Sequence, residues 1–298
     1  MLRKLGGETS VHSQRSSDPQ HLSPAAAITR RHDRDRFQTA LFAPAARREA
    51  LFALYAFNYQ IARVREAVTQ PMLGRIRLQW WRENIAAAYE NSPARRDEIV
   101  EALTAAIRER RLTRVHFDRL IDAREADFDE HPPASLAALE CYAEGTSTQL
   151  VYLALEALGA SDHAAREAGH HIGIAYALAG LLRALPLLTE AGRSVIPADI
   201  AAPAWLDLGD RRALRSSTAL RVAVGEIAAA AEGHLRAARE KGPAVARAAL
   251  PALLPAVVAG RSLTRLRRAR YNPFDPALAR RDPLQSWRLA AAALRGRF

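Results

Sequence analysis

Apolar residues recur at intervals of three and four positions along almost the whole chain, with charged and polar residues between them. This spacing places the apolar side chains on one face of a helix. No stretch alternates apolar and polar residues as a half-buried strand does. The pattern therefore predicts an all-α protein, a single-domain helical bundle. The predicted helices span residues 46–68, 72–90, 96–111, 116–131, 136–159, 161–186, 210–241 and 243–270, and a last apolar segment, SWRLAAAALRG, spans 286–296.

Two of these helices, 46–68 and 161–186, are apolar enough to lie in the middle of the bundle. Gly159 is a favourable C-terminal stop, and Pro186 is expected to end the helix that contains it. A cavity between inner helices is a common place for a ligand. We expect one helical domain over residues 31–285, preceded by a disordered N-terminal segment, 1–30, and followed by a basic C-terminal tail, 286–298.

Positive charge is concentrated near the C-terminal end of the 298-residue chain, whose net charge is +11. Residues 261–298 hold ten arginines against Asp275 and Asp282. Such a segment is typical of either a solvated surface or a surface that binds an anionic partner such as a membrane. Lysine is nearly absent, with two residues against 41 arginines, so we attribute the arginine content to compositional bias. No nucleic-acid-binding motif is visible, and nucleic acid is not an expected partner.

The compartment is constrained by Cys141, the only cysteine, which excludes an intrachain disulfide and fits a reducing environment. No hydrophobic run reaches the roughly 18 residues that cross a bilayer. The first 24 residues lack the apolar core of a secretory signal, while a basic mitochondrial presequence remains an alternative.

Arg183 is the only charged side chain in GIAYALAGLLRALPLL, residues 173–188. A guanidinium among apolar residues requires an anion or a carboxylate. Arg183 therefore either marks an anion-binding pocket, pairs with a carboxylate such as Glu66 or Glu144, or faces solvent at a helix end.

Four stretches carry a resemblance to the squalene/phytoene synthase superfamily: 43–68, 77–93, 119–146 and 173–200. In active members each of two inner helices carries a DxxxD motif, the second in a context like QxxNxLRDxxxD followed by GRxYLPxD. Aspartates at i and i+4 share a helix face, and two such faces hold magnesium ions that bind a substrate diphosphate. The resemblance implies the isoprenoid synthase fold with a central cavity.

This chain departs from the family at the metal ligands. Ala62 and Glu66 stand at the first aspartate pair, Ala184 and Leu188 stand at the second, and Ala177 and Gly180 replace the glutamine and asparagine. The tyrosine, the arginine of the second motif and the arginine of the loop are retained. The resemblance thus implies a degenerate diphosphate pocket without catalytic residues, metal or cofactor, formed by Tyr55, Arg183, Glu66 and Arg193.

The departures themselves, including the Leu-Arg-Ala-x-Pro pattern at 182–186, are similar to one branch of the superfamily, the complex I assembly factors of mitochondria and alphaproteobacteria. That branch implies a non-catalytic helper whose partners are a respiratory complex I subunit or assembly intermediate and, through 261–298, an anionic membrane surface. It would be cytoplasmic and peripheral at the bacterial inner membrane, or on the matrix side in mitochondria. The alternatives are an active head-to-head prenyl transferase that uses Mg²⁺, and a carrier for an isoprenoid ligand.

Three further groups of residues favour structural roles. His163, Glu167 and His170 share a helix face but lack an evident further metal ligand, so we expect a polar surface. The acidic cluster of Glu125, Asp127, Asp129 and Glu130 is interpreted as a solvated helix end, although Glu125 and Asp129 have a spacing suited to a cation. Trp80 and Trp81 are expected to pack in the core and at an interface and not to stack on a cofactor.

Overall fold

The computed structural model describes residues 22–129, 131–203, 205–206, 215 and 217–298, and this part of the chain is helical without a strand. Capping side chains at Ser23, Asp33, Asp97, Ser135, Asp162 and Ser217 accept hydrogen bonds from backbone N–H groups in the first helical turns. The all-α prediction is confirmed. The helices are α1 (Pro24–His32), α2 (Arg34–Ala40), α3 (Ala45–Ala62), α4 (Pro71–Tyr89), α5 (Glu98–Arg110), α6 (Arg114–Ala123), α7 (Leu136–Ala143), α8 (Gln149–Leu158), α9 (His163–Glu190), α10 (Ala198–Ala201), α11 (Thr218–Lys241), α12 (Leu250–Leu253), α13 (Pro255–Arg268), α14 (Pro276–Ala279) and α15 (Gln285–Arg295).

The bundle is organised around α3 and α9, the two helices predicted to be internal. α9 packs against α7, α8, α11 and α13, and α3 packs against α1, α5 and α8. On the α3 side, Phe57 makes edge contacts with Trp81 and Phe117, at ring-centre distances of 5.1 and 5.6 Å. Trp80 meets Trp81 edge-on at 5.0 Å, in agreement with the packing role predicted for both tryptophans.

Both ends of the described chain belong to the folded domain, which corrects the predicted boundaries. Residues 24–32 form α1, whose Ala25 and Ala26 are buried in the core, so the prediction of disorder is wrong for this part of segment 1–30. Residues 1–21 lie outside the described part. The predicted basic tail begins within α15, which packs against α13 through the buried Leu289. Apolar side chains on one face of each end segment explain why both pack onto the bundle.

The two inner helices end at other places than the spacing predicts. α9 continues through Pro186 to Glu190, because the buried Leu185 and Thr189 anchor the helix on both sides of the missing N–H group. α3 ends at Ala62, and residues 63–67 form consecutive turns in which Val64 is buried. Gly159 ends α8 with a φ of 67°, as predicted.

Other predicted helices are divided by irregular turns. The predicted helix 136–159 contains a π-helical turn at Glu144–Thr148, between α7 and α8. The predicted helix 116–131 tightens into a 3-10 turn at Arg124–Phe128. Residues 243–270 are divided among 3-10 turns, α12 and α13, where Pro251 and Pro255 interrupt hydrogen bonding. The predicted helix start at 210 lies outside the described residues.

α9 is, among the described helices, the one long and apolar enough to cross a bilayer. Half of its most apolar 18-residue window is buried inside the fold. Its contacts with five other helices identify it as a core helix of the bundle.

Candidate functional site

A cavity of about 600 Å³ lies between the end of α3, α7, α9 and the loop after α9. Its apolar wall includes Leu139 from α7 and Leu181 and Leu188 from α9. Its polar wall includes Arg65 and Glu66 from the turn after α3 and Arg193 from the loop. A mixed apolar and polar cavity between helices fits a ligand-binding role for this region.

The positions that correspond to the two aspartate pairs of active family members face this cavity. Ala62 and Glu66 line it from one side, and Ala184 and Leu188 line it from α9 on the other. At Gly180, one turn before Ala184, an added Cβ would meet no heavy atom within 4 Å, so the backbone there borders open space. The expected opposition of two stripes is therefore present, although Glu66 lies in a turn and not on the helix.

The residues on these stripes do not fit a magnesium cluster. Magnesium requires oxygen ligands, and three of the four positions carry the alkyl side chains of Ala62, Ala184 and Leu188. The cavity also holds the guanidinium groups of Arg65, Arg124 and Arg193, which repel a divalent cation. In the described part of the chain, no group of three or more His, Cys, Asp or Glu side chains is arranged to hold a metal ion.

Asp127, in the 3-10 turn Arg124–Phe128 at the floor of the cavity, contacts the loop after α9. Its carboxylate accepts a hydrogen bond of 2.7 Å from the Tyr142 hydroxyl and lies 3.5 Å from Arg124 and 3.7 Å from Arg193. Burial, with the adjacent Asp127 contributing, raises the pKa of Tyr142 to about 12, although Arg124 opposes the shift. Tyr142 therefore stays protonated at neutral pH and remains a hydrogen-bond donor.

This network corrects the interpretation of the acidic cluster as a solvated helix end. Asp127 is only 8% exposed because the 3-10 turn directs it inward, towards two arginines. Glu125 pairs with Arg75 and Arg82 at the surface, and Asp129 lines the cavity. Glu130 lies outside the described residues. The cluster was visible in the sequence, and Arg124 lies in the same 3-10 turn as Asp127. The partners Tyr142 and Arg193 come from two distant segments, so spacing did not reveal the network.

The four predicted pocket residues do not form one site. Glu66 and Arg193 share the cavity, and Arg193 also donates to the Asp127 carbonyl at 3.2 Å. Tyr55 is buried in the core beneath the guanidinium of Arg36, 5.8 Å from its ring centre. Arg183 lies outside this cavity, on a different face of α9.

The partner of Arg183 is Asp35 on α2, and neither Glu66 nor Glu144. Its Nη1 atom lies 3.1 Å from Asp35 Oδ2, and the Arg183 side chain is 51% exposed. Asp35 also accepts from Gln285 Nε2 at 2.8 Å. Residues 183 and 184 point in different directions on the helix, so Arg183 turns away when Ala184 faces the cavity.

The predicted polar face of α9 is held by pairwise contacts. His163 lies 3.6 Å from Glu167, which also pairs with Lys241 at 3.2 Å. His170 lies 3.9 Å from Glu144.

A close histidine pair beside this face adds a pH-dependent contact. The Nδ1 atoms of His171 and His234 are 2.9 Å apart, and His234 Nε2 lies 3.3 Å from Glu140. A hydrogen bond between two Nδ1 atoms requires one ring to accept, so one of the two nitrogens carries no proton.

Stability is expected to fall as the pH drops below about 6.5, partly through His171. Burial and then the positive charges of His234, His170 and Lys241 lower the pKa of His171 in the fold. The unfolded chain therefore binds more protons than the fold in this range, which favours unfolding. In urea titrations between about pH 7 and 5, the His171→Gln variant should lose less stability than the wild type. Equal pH profiles would contradict this assignment.

Comparisons with known proteins agree with the fold and show the family of the chain. The squalene/phytoene synthase family model matches residues 29–289. Assembly factor 6 of NADH dehydrogenase (ubiquinone) complex I, from Bos taurus and from Homo sapiens, is 31% identical over 88% of this chain and 80% of the relative. Presqualene diphosphate synthase of Rhodopseudomonas palustris is 27% identical over 65% of this chain and 69% of that protein.

Among solved structures, squalene synthase HpnC from Alicyclobacillus acidocaldarius has a similar fold. The TM-score is 0.74 at 21% identity, over 84% of this chain and 94% of that structure. The predicted fold and family resemblance are thus confirmed. Since the family model matches residues 29–289, which is most of the chain, the chain belongs to the squalene/phytoene synthase family.

Proposed function

We propose that this protein is a non-catalytic member of its family that assists the assembly of respiratory complex I at a membrane surface. The observation that carries the proposal is the replacement of three of four metal-binding positions by Ala62, Ala184 and Leu188 on surfaces that still face one cavity. The relatives at 31% identity, which cover most of the chain, carry the name of a complex I assembly factor.

The missing carboxylates bear directly on catalysis. Ionisation of a prenyl diphosphate leaves negative charge on the pyrophosphate, which bound magnesium neutralises in this type of reaction. Glu66 alone supplies one carboxylate from the two stripes, and Asp127 is engaged by Arg124 and Tyr142. The two stripes are therefore poorly suited to generating an allylic cation.

The proposed location is the side of the energy-transducing membrane where complex I is assembled. That side is the cytoplasmic face of the inner membrane in a bacterium and the matrix face in a mitochondrion. The proposed partners are a complex I subunit or assembly intermediate and the anionic membrane surface. The ten arginines of residues 261–298 support this location, because each basic residue near an anionic bilayer contributes about 1 kcal/mol.

Deletion of the gene is expected to lower the amount of assembled complex I and its NADH:quinone reductase activity, and the wild-type gene should restore both. Blue native electrophoresis with an in-gel NADH stain measures the assembled complex. Succinate dehydrogenase, which uses a separate complex, serves as the internal control. Unchanged complex I in the deletion strain would refute the assembly role.

The second candidate is a head-to-head prenyl transferase, which the similarity to presqualene diphosphate synthase favours. The purified protein, incubated with Mg²⁺ and farnesyl or geranylgeranyl diphosphate, is expected to release no pyrophosphate above background. The Rhodopseudomonas palustris enzyme under the same conditions is the positive control. Sustained formation of a C30 or C40 product would refute the non-catalytic proposal, whereas retention of an unconverted isoprenoid would identify a carrier.

A further inference from the structure

We propose that a second cavity, bounded by α2, α9, α13 and the segment leading into α15, binds the phosphate headgroup of an anionic membrane phospholipid. The exposed face of α15 would lie beside it in the bilayer interface. This inference refines the membrane association proposed above and does not depend on a role in complex I assembly. This second cavity has a volume of about 460 Å³ and shares no lining residue with the first cavity, which lies between the end of α3, α7, α9 and the loop after α9.

The second cavity is strongly cationic. Seven arginines line it against two carboxylates, those of Asp35 and Asp282, which leaves an excess of five positive charges. Asp35 is engaged by Arg183 at 3.1 Å. Asp282 is engaged by Arg261 at 3.0 Å and by Arg288 at 3.3 Å. The two acids are therefore already neutralised by arginines of the cavity.

Three arginines of this cavity, Arg34, Arg280 and Arg281, are exposed and make no ion pair or side-chain hydrogen bond within the described part of the chain. Arg265 donates to the Arg280 carbonyl at 2.7 Å and so fixes the backbone that carries two of them. Guanidinium groups held close together around a concave surface match the oxygens of a phosphate. The cavity thus offers cations that lack a protein anion.

α15 also ties the cavity to the rest of the fold. Gln285 at its first turn donates to Asp35 and to the Gln38 side chain, both at 2.8 Å. Gln38 in turn donates to Ser286 at 3.0 Å. These contacts hold the N-terminal end of α15 against α2, so the orientation of the helix relative to the cationic cavity is defined.

The outward face of α15 is apolar. Leu284, Trp287, Ala291 and Leu294 follow one another at spacings of three and four, and Trp287 and Leu294 are 75% and 78% exposed. On another face Leu289 is fully buried against Leu254 and Val258.

Two arginines lie along one side of this apolar stripe. Arg288 and Arg295 are seven residues apart on α15 and so share a face next to the stripe, and Arg288 lines both the cationic cavity and the shallow groove along the helix. A short amphipathic helix with Trp and Leu on one face and arginines beside them is typical of a segment that lies in a membrane interface.

The apolar stripe favours a phospholipid over a nucleic acid as the anionic partner. A nucleic acid would use the arginines and leave Trp287 and Leu294 in water or stacked on a base. A phospholipid satisfies both surfaces at once, since its phosphate enters the cavity and its acyl region receives the exposed side chains.

Vesicle flotation with the full-length protein tests the charge part of the proposal. We expect binding to phosphatidylcholine vesicles that contain phosphatidylglycerol and little binding to phosphatidylcholine alone. The R280Q/R281Q variant should bind about thirtyfold more weakly, from two charges near an anionic surface. The matched control R30Q/R31Q removes the same charge from two exposed arginines of α1, outside both the cavity and residues 261–298, and should retain affinity within about threefold. Equal losses in both variants, or wild-type binding that needs no anionic lipid, would overturn the site.

Quenching by brominated lipid tests insertion of α15. Tryptophan emission should be quenched in the wild type and in W205F, which removes a still more exposed tryptophan outside the site. The W287F variant should lose the quenching while it keeps the binding. Quenching that persists in W287F would exclude insertion of this face.

Two competition experiments separate other ligands. Soluble glycerophosphate in large excess should leave vesicle binding in place, and complete displacement would indicate a site for free phosphate. Duplex DNA binding that R280Q/R281Q abolishes, with vesicle binding intact, would favour nucleic acid and overturn the proposal.

Circular dichroism melts of all variants check folding. Because these measurements use purified protein, failure of the assembly role in a deletion strain would leave this inference standing.

Discussion

The free energy of unfolding of the Gly173→Ala variant should be lower than that of the wild type by at least about 2 kcal/mol. A Cβ added at Gly173 would lie 2.5 Å from the Cα and 2.8 Å from the N of Thr148, distances that real Cβ atoms do not adopt. Both are backbone atoms of the π-helical turn before α8, so no side-chain rotation relieves the contact. Overpacking costs typically about 1–3 kcal/mol and more where the backbone must move.

Gly180→Ala on the same helix is the matched control and should stabilise the protein by up to about 1 kcal/mol. A Cβ there meets no heavy atom within 4 Å, so the gain in helix propensity is not offset by a clash. Urea denaturation followed by circular dichroism at 222 nm measures both variants. Similar midpoints for the two variants would show that α9 does not rely on this close approach to the π-helical turn.

The helical fold was predictable because burial follows the spacing of apolar residues. Leu51, Leu54 and Ile61 share a stripe in the sequence, and all three are buried in α3. Helix ends were less predictable, because they depend on tertiary packing. The π-helical turn at Glu144–Thr148 forms where Thr148 donates to the His170 carbonyl of α9 at 3.1 Å, a contact between distant segments.

The candidate site was predictable only for its helical walls. The stripes with Ala62 and Ala184 face the cavity as the resemblance implied. The partner of Arg183 was not predictable, because Asp35 belongs to α2, in a part of the chain near the predicted disordered segment. The network around Asp127 was missed for a similar reason, since Tyr142 and Arg193 reach it from α7 and from the loop after α9.

The Asp127→Ala variant should lose about 3 kcal/mol of stability, because it leaves buried positive charge without its counterion. Arg124 is largely buried, and its Nε already lacks a hydrogen-bond partner. Tyr142 would lose its acceptor at 2.7 Å, and Arg193 would lose one of the two contacts that hold the loop over the cavity. Asp127→Asn keeps the shape and an acceptor oxygen, so its loss should be smaller and should measure the contribution of the charge.

Glu125→Ala is the matched control two residues away, where a partly exposed carboxylate pairs with Arg75 and Arg82. Surface pairs contribute about 0–1 kcal/mol, so this variant should unfold close to the wild type in the same urea titration. Equal midpoints for Asp127→Ala and Glu125→Ala would mean that the Asp127 network does not stabilise the cavity. A selective loss at Asp127 would instead show that this buried carboxylate neutralises protein arginines and stabilises the floor of the cavity.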